Sequence, residues 1–401
     1  MSNLPDSAAL SGLLVLDLSR VLAGPYCTMI LGDLGAEVIK VEVPGQGDET
    51  RQWGPPWAGS ESAYYLSANR NKKSITLNLK SEKGRDIARE LARRADILVE
   101  NFRTGTMEGW GLGYESLQAI NPGLVYCSIT GYGPDGPYKD RPGYDFVIQA
   151  EGGIMSITGP EEGPPYKVGV AIVDITAALF ACIAILAAIQ ERSRSGQGQR
   201  IDVSLLESQV AWLANVASNY LVSGERPKRY GNAHPNIVPY EAFETADGYV
   251  ALGIGNDRQY QTFCREAGCE YLAEDPRFAT NPDRVQNRAT LIPLLQEVFR
   301  RKTTEEWIRL FFEMGIPGGP INTVDQVFQH PQVQARGMVV EVPHPAAGAV
   351  RLVRSPLNLS RTPTRVRSHP PLVGEHTGEV LSRLLGYTEG EIRALRSEGV
   401  V

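Results

Sequence analysis

Residues 13–42 read LLVLDLSRVLAGPYCTMILGDLGAEVIKVE, and this run decides the fold class. LLVLDL (13–18) is a short apolar, β-rich segment. Gly24-Pro25 then opens a helical pattern through Met29, Ile30 and Leu34 that stops at Gly35, and EVIKVE (37–42) is a second short strand. Moving outward, the same alternation continues with SITLNL (74–79), a charged helix from about Ser81 to Arg94, DILVEN (96–101) and LVYCSIT (124–130). Short apolar strands separated by amphipathic helices predict an α/β fold: a parallel sheet with right-handed crossovers and both faces covered. In such sheets the loops after the strands hold the ligand. Here those loops are Ser19–Pro25, Val43–Trp57, Asn101–Thr106 and Gly131–Gly143.

Composition narrows the function. The 401 residues are 42% apolar and 21% charged, which excludes disorder, collagen and coiled coil. Lys and Arg number 40 against 46 acidic residues, a net charge of −6, so a nucleic-acid partner is not expected. Five scattered cysteines read as reduced thiols in a cytoplasmic chain; Cys264 and Cys269 are close, but nothing nearby completes a metal set, and none is expected. The N-terminal MSNLPDSAAL lacks the basic start of a leader, and no Arg precedes Arg20. ITAALFACIAILAAI (175–189) is uninterrupted and apolar but shorter than the roughly 20 residues of a span, so it is expected to be a buried core helix and the protein soluble, without a membrane partner.

The Gly131–Gly143 loop contains G-x-G-x-x-G at Gly131, Gly133 and Gly136. Pro134, Pro137 and Pro142 forbid the helix that would present its N-terminus to a dinucleotide pyrophosphate, which argues against NAD. No Walker A, H-E-x-x-H or G-x-S-x-G motif is present. Beyond the apolar helix, RSRSGQGQR reads as a turn and a second helix spans about Ser204 to Ser223. Composition then shifts, and a small module begins with a hairpin turning at Asp247-Gly248, its clearest helix running from Thr303 to Met314. The expected organisation is a large domain over 1–200, a linker helix at 201–225, a small inserted α+β domain at 226–315, a return linker at 316–335, and the rest of the large domain at 336–401.

Several segments together resemble the class III CoA-transferases, typified by formyl-CoA transferase: the opening run, NRNKKSITLNLKSEKGR, ILVENFRTGTMEGWGLGYESL, SITGYGPDGPYKDRPGYD, ITGPEEGPPYKVGVAIVDITAAL, SGQGQRIDVSLLES, GIPGGPINTVDQVFQHPQV and PPLVGEHTGEVL. GNAHPNIVPYEAF and GIPGGPINTVDQVF look most like the branch that moves CoA between succinate and other dicarboxylic acids. The resemblance implies a large Rossmann-like domain, a small domain and two linkers, in monomers that interlock as rings into a homodimer. It implies an acyl-CoA, with succinyl-CoA the expected donor, and a dicarboxylic acid as substrates, and no permanently bound cofactor.

Such chemistry needs an enzyme carboxylate that attacks the thioester. The family's T-G-x-x-D-G-P-P-like loop is matched by Thr158-Gly159-Pro160-Glu161-Glu162-Gly163-Pro164-Pro165, which makes Glu162 the expected nucleophile and Glu161 its backup. Glu162 is one methylene longer than the usual Asp, and the bland alternative is a solvated acidic turn. For CoA, the matching positions are Arg20, Val21 and Ala23, then Leu77 to Lys80, then Asn101, Phe102 and Arg103, with Lys72, Lys73, Lys80 and Arg103 as sources of positive charge. The family's adenine-stacking Arg is missing from Glu108-Gly109-Trp110-Gly111; Trp110 either stacks in its place or packs in the core. Where formyl-CoA transferases carry a glycine-rich lid, this chain has Gly231-Asn232-Ala233-His234-Pro235-Asn236. His234 or Asn236 is expected to hold the acyl group or its distal carboxylate, against the alternative of a loop His bonded to backbone.

Two other classes stand beside this one. In the related α-methylacyl-CoA racemases an Asp matches Asp174, but the paired His is replaced by Tyr144, and a phenol is a poor base at neutral pH. Asp174 is then expected to cap the apolar helix. The third class is a CoA-ester-binding protein without transferase activity.

Overall fold

A computed structural model describes residues 8–401; the first seven residues, on which the reading of the N-terminus partly rests, lie outside it. The chain divides into two compact units: Met1–Gly153 with Val168–Asn215 and Gln334–Val401, and Ile154–Lys167 with Val216–Val333.

The larger unit is built on β1 (Leu14–Asp17), β2 (Glu37–Glu42), β3 (Lys72–Thr76), β4 (Ile97–Glu100), β5 (Val125–Thr130) and β6 (Arg200–Ser204). They form one sheet in the order β3-β2-β1-β4-β5-β6, every pair parallel. This is the doubly wound order whose direction reverses between β1 and β4, where such sheets open a crevice. Successive residues point to opposite faces. Val15, Val38, Ile97 and Val125 pack on one side with α1 (Ala23–Asp33) and α4 (Ile172–Ser195). Leu16, Ile39, Leu98 and Tyr126 pack on the other with α2 (Glu82–Arg94) and the C-terminal Val380, Ile392 and Val400. Ser81 caps α2 as its side chain accepts the Gly84 N–H.

The helix α4 is long and apolar enough to cross a membrane by length and composition, yet one side of it lies in the fold. Ala177, Ala181, Ile185 and Ala188 are buried, the small side chains letting the helix approach the sheet, while Leu179, Phe180, Ile183 and Leu186 are exposed. Gly196 ends it in the left-handed conformation.

Three sequence expectations need correction. The polar turn after α4 runs straight into β6, whose few alternating residues are too short to register as a strand. At Gly198 a Cβ would stand 2.0 Å from the Leu124 carbonyl oxygen, so only glycine permits this approach to the sheet. The single helix expected over 204–223 is broken into α5 (Leu205–Trp212) and α6 (Ala214–Ser223), with Ala214 at φ 42°. And Ile154–Lys167, expected in the large domain, clusters with the smaller unit, which a linear division of the chain cannot express.

The smaller unit carries an antiparallel sheet of β7 (Tyr240–Glu244), β8 (Tyr249–Gly253) and β9 (Gly318–Pro320), in the order β9-β8-β7. Asp247 and Gly248 lie in the turn between β7 and β8. Phe243, Phe263, Phe299, Trp307 and Phe311 form its core, the Phe243 and Phe299 rings stacked at 4.3 Å. Thr303 and Glu306 form a capping box at the start of the Thr304–Met314 helix.

Candidate active site

The loop after β1 is held by side chains beneath it. Asp17, at the end of β1, accepts hydrogen bonds from the Ser19 N–H at 3.0 Å, the Thr28 hydroxyl at 2.6 Å and Lys72 at 3.0 Å. The Lys40 ammonium donates to the Ser19 carbonyl and to Asp48, both at 2.9 Å. Burial opposes ionisation of these acids, but the facing ammonium groups outweigh it: Asp17 lies below the usual carboxylate range, and Asp48 falls to about 2. Burial brings Lys72 down to about 8, its pairing with Asp17 offsetting part of the loss of water.

Asn101, after β4, ties this loop to the next. Its Oδ1 accepts the Arg20 N–H at 2.8 Å and its Nδ2 donates to the Arg20 carbonyl at 2.7 Å. Glu100 orients the following residue: its carboxylate accepts from the Phe102 N–H at 2.8 Å and from the Ser128 hydroxyl. Burial raises that carboxyl to about 7.

These loops frame two cavities of the larger unit, which share Arg20 and Phe102. One, of about 690 Å³, is lined by Lys40, Asp48, Leu77, Lys80, Phe102 and Trp110 among others. The second, of about 270 Å³, is lined by Arg20, Val21, Ala23, Asn101, Phe102 and Arg103, and also by Lys139, Arg141, Tyr144 and Asp174. All ten positions matched to CoA, Leu77 to Lys80 included, therefore fall on these two adjoining spaces. The Arg20 guanidinium lies 5.1 Å over the Phe102 ring, and Phe102 meets Trp110 edge to face at 5.1 Å. Trp110 is half-buried on a cavity wall, between the two roles open to it in the sequence. Lys72 is fully buried and bound to Asp17, so it cannot reach a phosphate, and Lys73 pairs with Glu37 and Glu379.

Asp174 is the carboxylate that sequence reasoning misplaced. It does not cap α4: the N-cap residue is Ala171, and the Val173 N–H donates to Asp145 at 2.8 Å. Asp145, the first residue of α3 (Asp145–Glu151), also accepts from Gln149 at 2.7 Å. Asp174 is left half-buried on the cavity wall with no hydrogen-bond partner among the described residues. Burial, and then the Asp145 charge, raise its carboxyl to about 7. Its position three residues into the helix, past the usual capping position, was the available signal. Lys139, Arg141 and Arg103 share the cavity and have no acidic partner among the described residues. Several cations without acidic partners on one cavity wall suit a polyanionic ligand.

Glu162 belongs to the smaller unit. It sits exposed in a loop pinned by Arg229, which donates to the Pro160 carbonyl at 2.9 Å and the Gly163 carbonyl at 2.7 Å. The Glu162 side chain has no hydrogen-bond partner among the described residues, and Glu161 is paired with Lys228. In the same unit the His234 Nδ1 accepts the Asn236 N–H at 3.1 Å, and its ring lies 5.4 Å from Tyr240. The Asn236 side chain accepts from Asn219 at 2.9 Å and lines a cavity of about 520 Å³ with Tyr230, Ala233 and Pro235.

Over residues 10–377 the chain matches the family described as CoA-transferase family III. It is 47% identical over 400 residues to succinyl-CoA:glutarate CoA-transferase of Homo sapiens, covering 100% of this chain and 91% of that protein. Identity is 44% over 391 residues to succinate–glutarate CoA-transferase of Agrobacterium fabrum, covering 96% and 98%. Among solved structures, a CaiB/BaiF family protein from Brucella suis matches with a TM-score of 0.84 at 45% identity, over 94% of this chain and 99% of that one.

Proposed function

The chain belongs to CoA-transferase family III, and on that premise we propose that it moves CoA from succinyl-CoA to a dicarboxylic acid, with Asp174 as the covalent nucleophile. The observation that carries this reading is Asp174 in the same cavity as Arg20, Val21, Ala23, Asn101, Phe102 and Arg103. The relatives named for succinate and glutarate support the substrate class.

Asp174 attacks the thioester carbonyl and the CoA thiolate leaves, forming a mixed succinyl–aspartyl anhydride. The thiolate returns to the aspartyl carbonyl, succinate departs, and an aspartyl-CoA thioester remains. The acceptor carboxylate attacks that carbonyl, expelling thiolate again. The thiolate then attacks the acceptor's acyl carbon, releasing the new CoA ester and regenerating Asp174. No redox partner or added proton is required. A carboxyl near 7 is ionised in a useful fraction at neutral pH and is less stabilised by water than an exposed one, which favours attack.

We take Asp174 in preference to Glu162 because Glu162 stands exposed, with nothing to orient its carboxylate. For His234 and Asn236 the resemblance alone supports an acyl-group role, and the Asn236 N–H bond to the His234 ring is the backbone bond of the alternative reading. The racemase alternative has at the position of the paired His only Tyr144, an exposed phenol and a poor base. The exposed apolar strip of α4, with Val210 and Trp212 on α5, supports a homodimer in which a second copy covers it. The experiment is a panel of dicarboxylic acids offered with succinyl-CoA, products read by mass. Glutaryl-CoA or a near homologue is expected; deuterium entering the α-carbon without CoA exchange would instead mean an isomerase.

A further inference from the structure

The backbone of Val21 is the outlier of the site. It lies at φ 68°, a left-handed conformation that a β-branched residue adopts only when its surroundings force it. The forcing groups are identifiable. The Val21 N–H points at both oxygens of Asp48, at 3.4 and 3.3 Å. Asp48 is fixed in turn by Lys40 at 2.9 Å, by the Thr50 N–H at 3.0 Å and by the Thr50 hydroxyl at 2.7 Å. The Lys40–Asp48 pair is wholly shielded from solvent. On the other side, Asn101 takes up both backbone groups of Arg20. A buried ion pair of this kind is weak evidence of a contribution to stability, because apolar residues of similar size often serve as well. Its retention under a strained residue that lines the ligand cavity calls for another reason.

We propose that Asp48 is a positioning residue for acyl-CoA: it holds Val21 left-handed so that Arg20 and Val21 face the cavity in the orientation the ligand requires. This rests on reading the two adjoining cavities as the acyl-CoA site. Asp48 itself need not touch substrate.

The test is a mutant cycle read by CoA binding in calorimetry. Removing Asp48 alone would strand the Lys40 charge, so the pair is replaced together, as Lys40→Met with Asp48→Leu, and folding is checked by thermal unfolding. In the Val21 background this replacement is expected to weaken CoA binding about tenfold or more. In the Val21→Gly background, where the left-handed conformation carries no steric penalty, the same replacement is expected to change binding by no more than about twofold to threefold. Equal losses in both backgrounds, or no loss in either, would overturn the positioning role. Should the paired replacement unfold the protein, Asp48→Asn with Lys40 intact runs the same cycle, since it weakens the acceptor without removing its shape. If the unaltered protein fails to bind CoA, the reading of the cavities fails first, and the positioning role with it.

Discussion

The carboxylate of Asp145 accepts the backbone N–H of Val173 at 2.8 Å, so the helix that carries Asp174 is capped from elsewhere and Asp174 keeps its own carboxylate unspent. The same Asp145 charge helps raise Asp174 to about 7. Asp145→Asn preserves an acceptor for Val173 but removes the charge. The acid limb of kcat/KM is expected to move to lower pH by roughly half a unit to one unit, with modest loss of rate. An unmoved limb would mean that Asp174 is not the titrating group.

A raised carboxyl has a consequence for stability. The folded protein binds the Asp174 proton more tightly than the unfolded chain, so stability falls as pH rises from about 4 through about 7. Asp174→Asn removes that cost. The variant is expected to be more stable than the parent at pH 8, by about 2 kcal/mol after allowing for solvent screening, and nearly equal to it at pH 4. Denaturant melts at the two pH values check this, and a variant that is less stable at pH 8 would contradict it.

Lys72 was a phosphate candidate in the sequence and is a buried counter-ion in the structure. Lys72→Met leaves Asp17 charged and unpaired and is expected to cost about 3–5 kcal/mol. Adding Asp17→Asn should recover part of that loss. Urea titration separates this from a ligand role, which would raise the KM for acyl-CoA in a fully stable protein.

The strip of Leu179, Phe180, Ile183 and Leu186 predicts self-association. On the interlocked homodimer that the family resemblance implies, unaltered protein is expected to sediment as a dimer that persists at nanomolar concentration, because chains linked in that way part only by unfolding. Ile183→Glu places a charge in the face proposed to be covered in the dimer and should lower the yield of folded dimer. A reversible monomer of the unaltered protein on dilution would oppose the interlocked arrangement.

The doubly wound sheet was legible because its strands are apolar runs between amphipathic helices. Arg20, Phe102 and Lys80 were named from the family resemblance, and the structure places them on the walls of the two adjoining cavities. The sixth strand was not, since Arg200–Ser204 is short and follows a polar turn. That Asp174 does not cap its helix was hidden for a different reason. A carboxylate in the first turn of a helix suits the helix dipole whether or not it does chemistry. Only the bond from Val173 to Asp145 shows that the capping task is filled. The fate of Lys72 was equally closed to sequence reading, because its partner Asp17 is distant in the chain and adjacent only through strand order.

Trapping of the covalent intermediate tests the central claim most directly. Protein incubated with succinyl-CoA and then hydroxylamine should convert one carboxyl to a hydroxamate, releasing CoA, and peptide mass spectrometry locates it. The expected site is Asp174, and Asp174→Asn should lose both the adduct and at least about a thousandfold in turnover, roughly 4 kcal/mol of barrier. A hydroxamate on Glu162 with Asp174 unmodified, or an Asp174→Asn variant that turns over normally, would contradict the account.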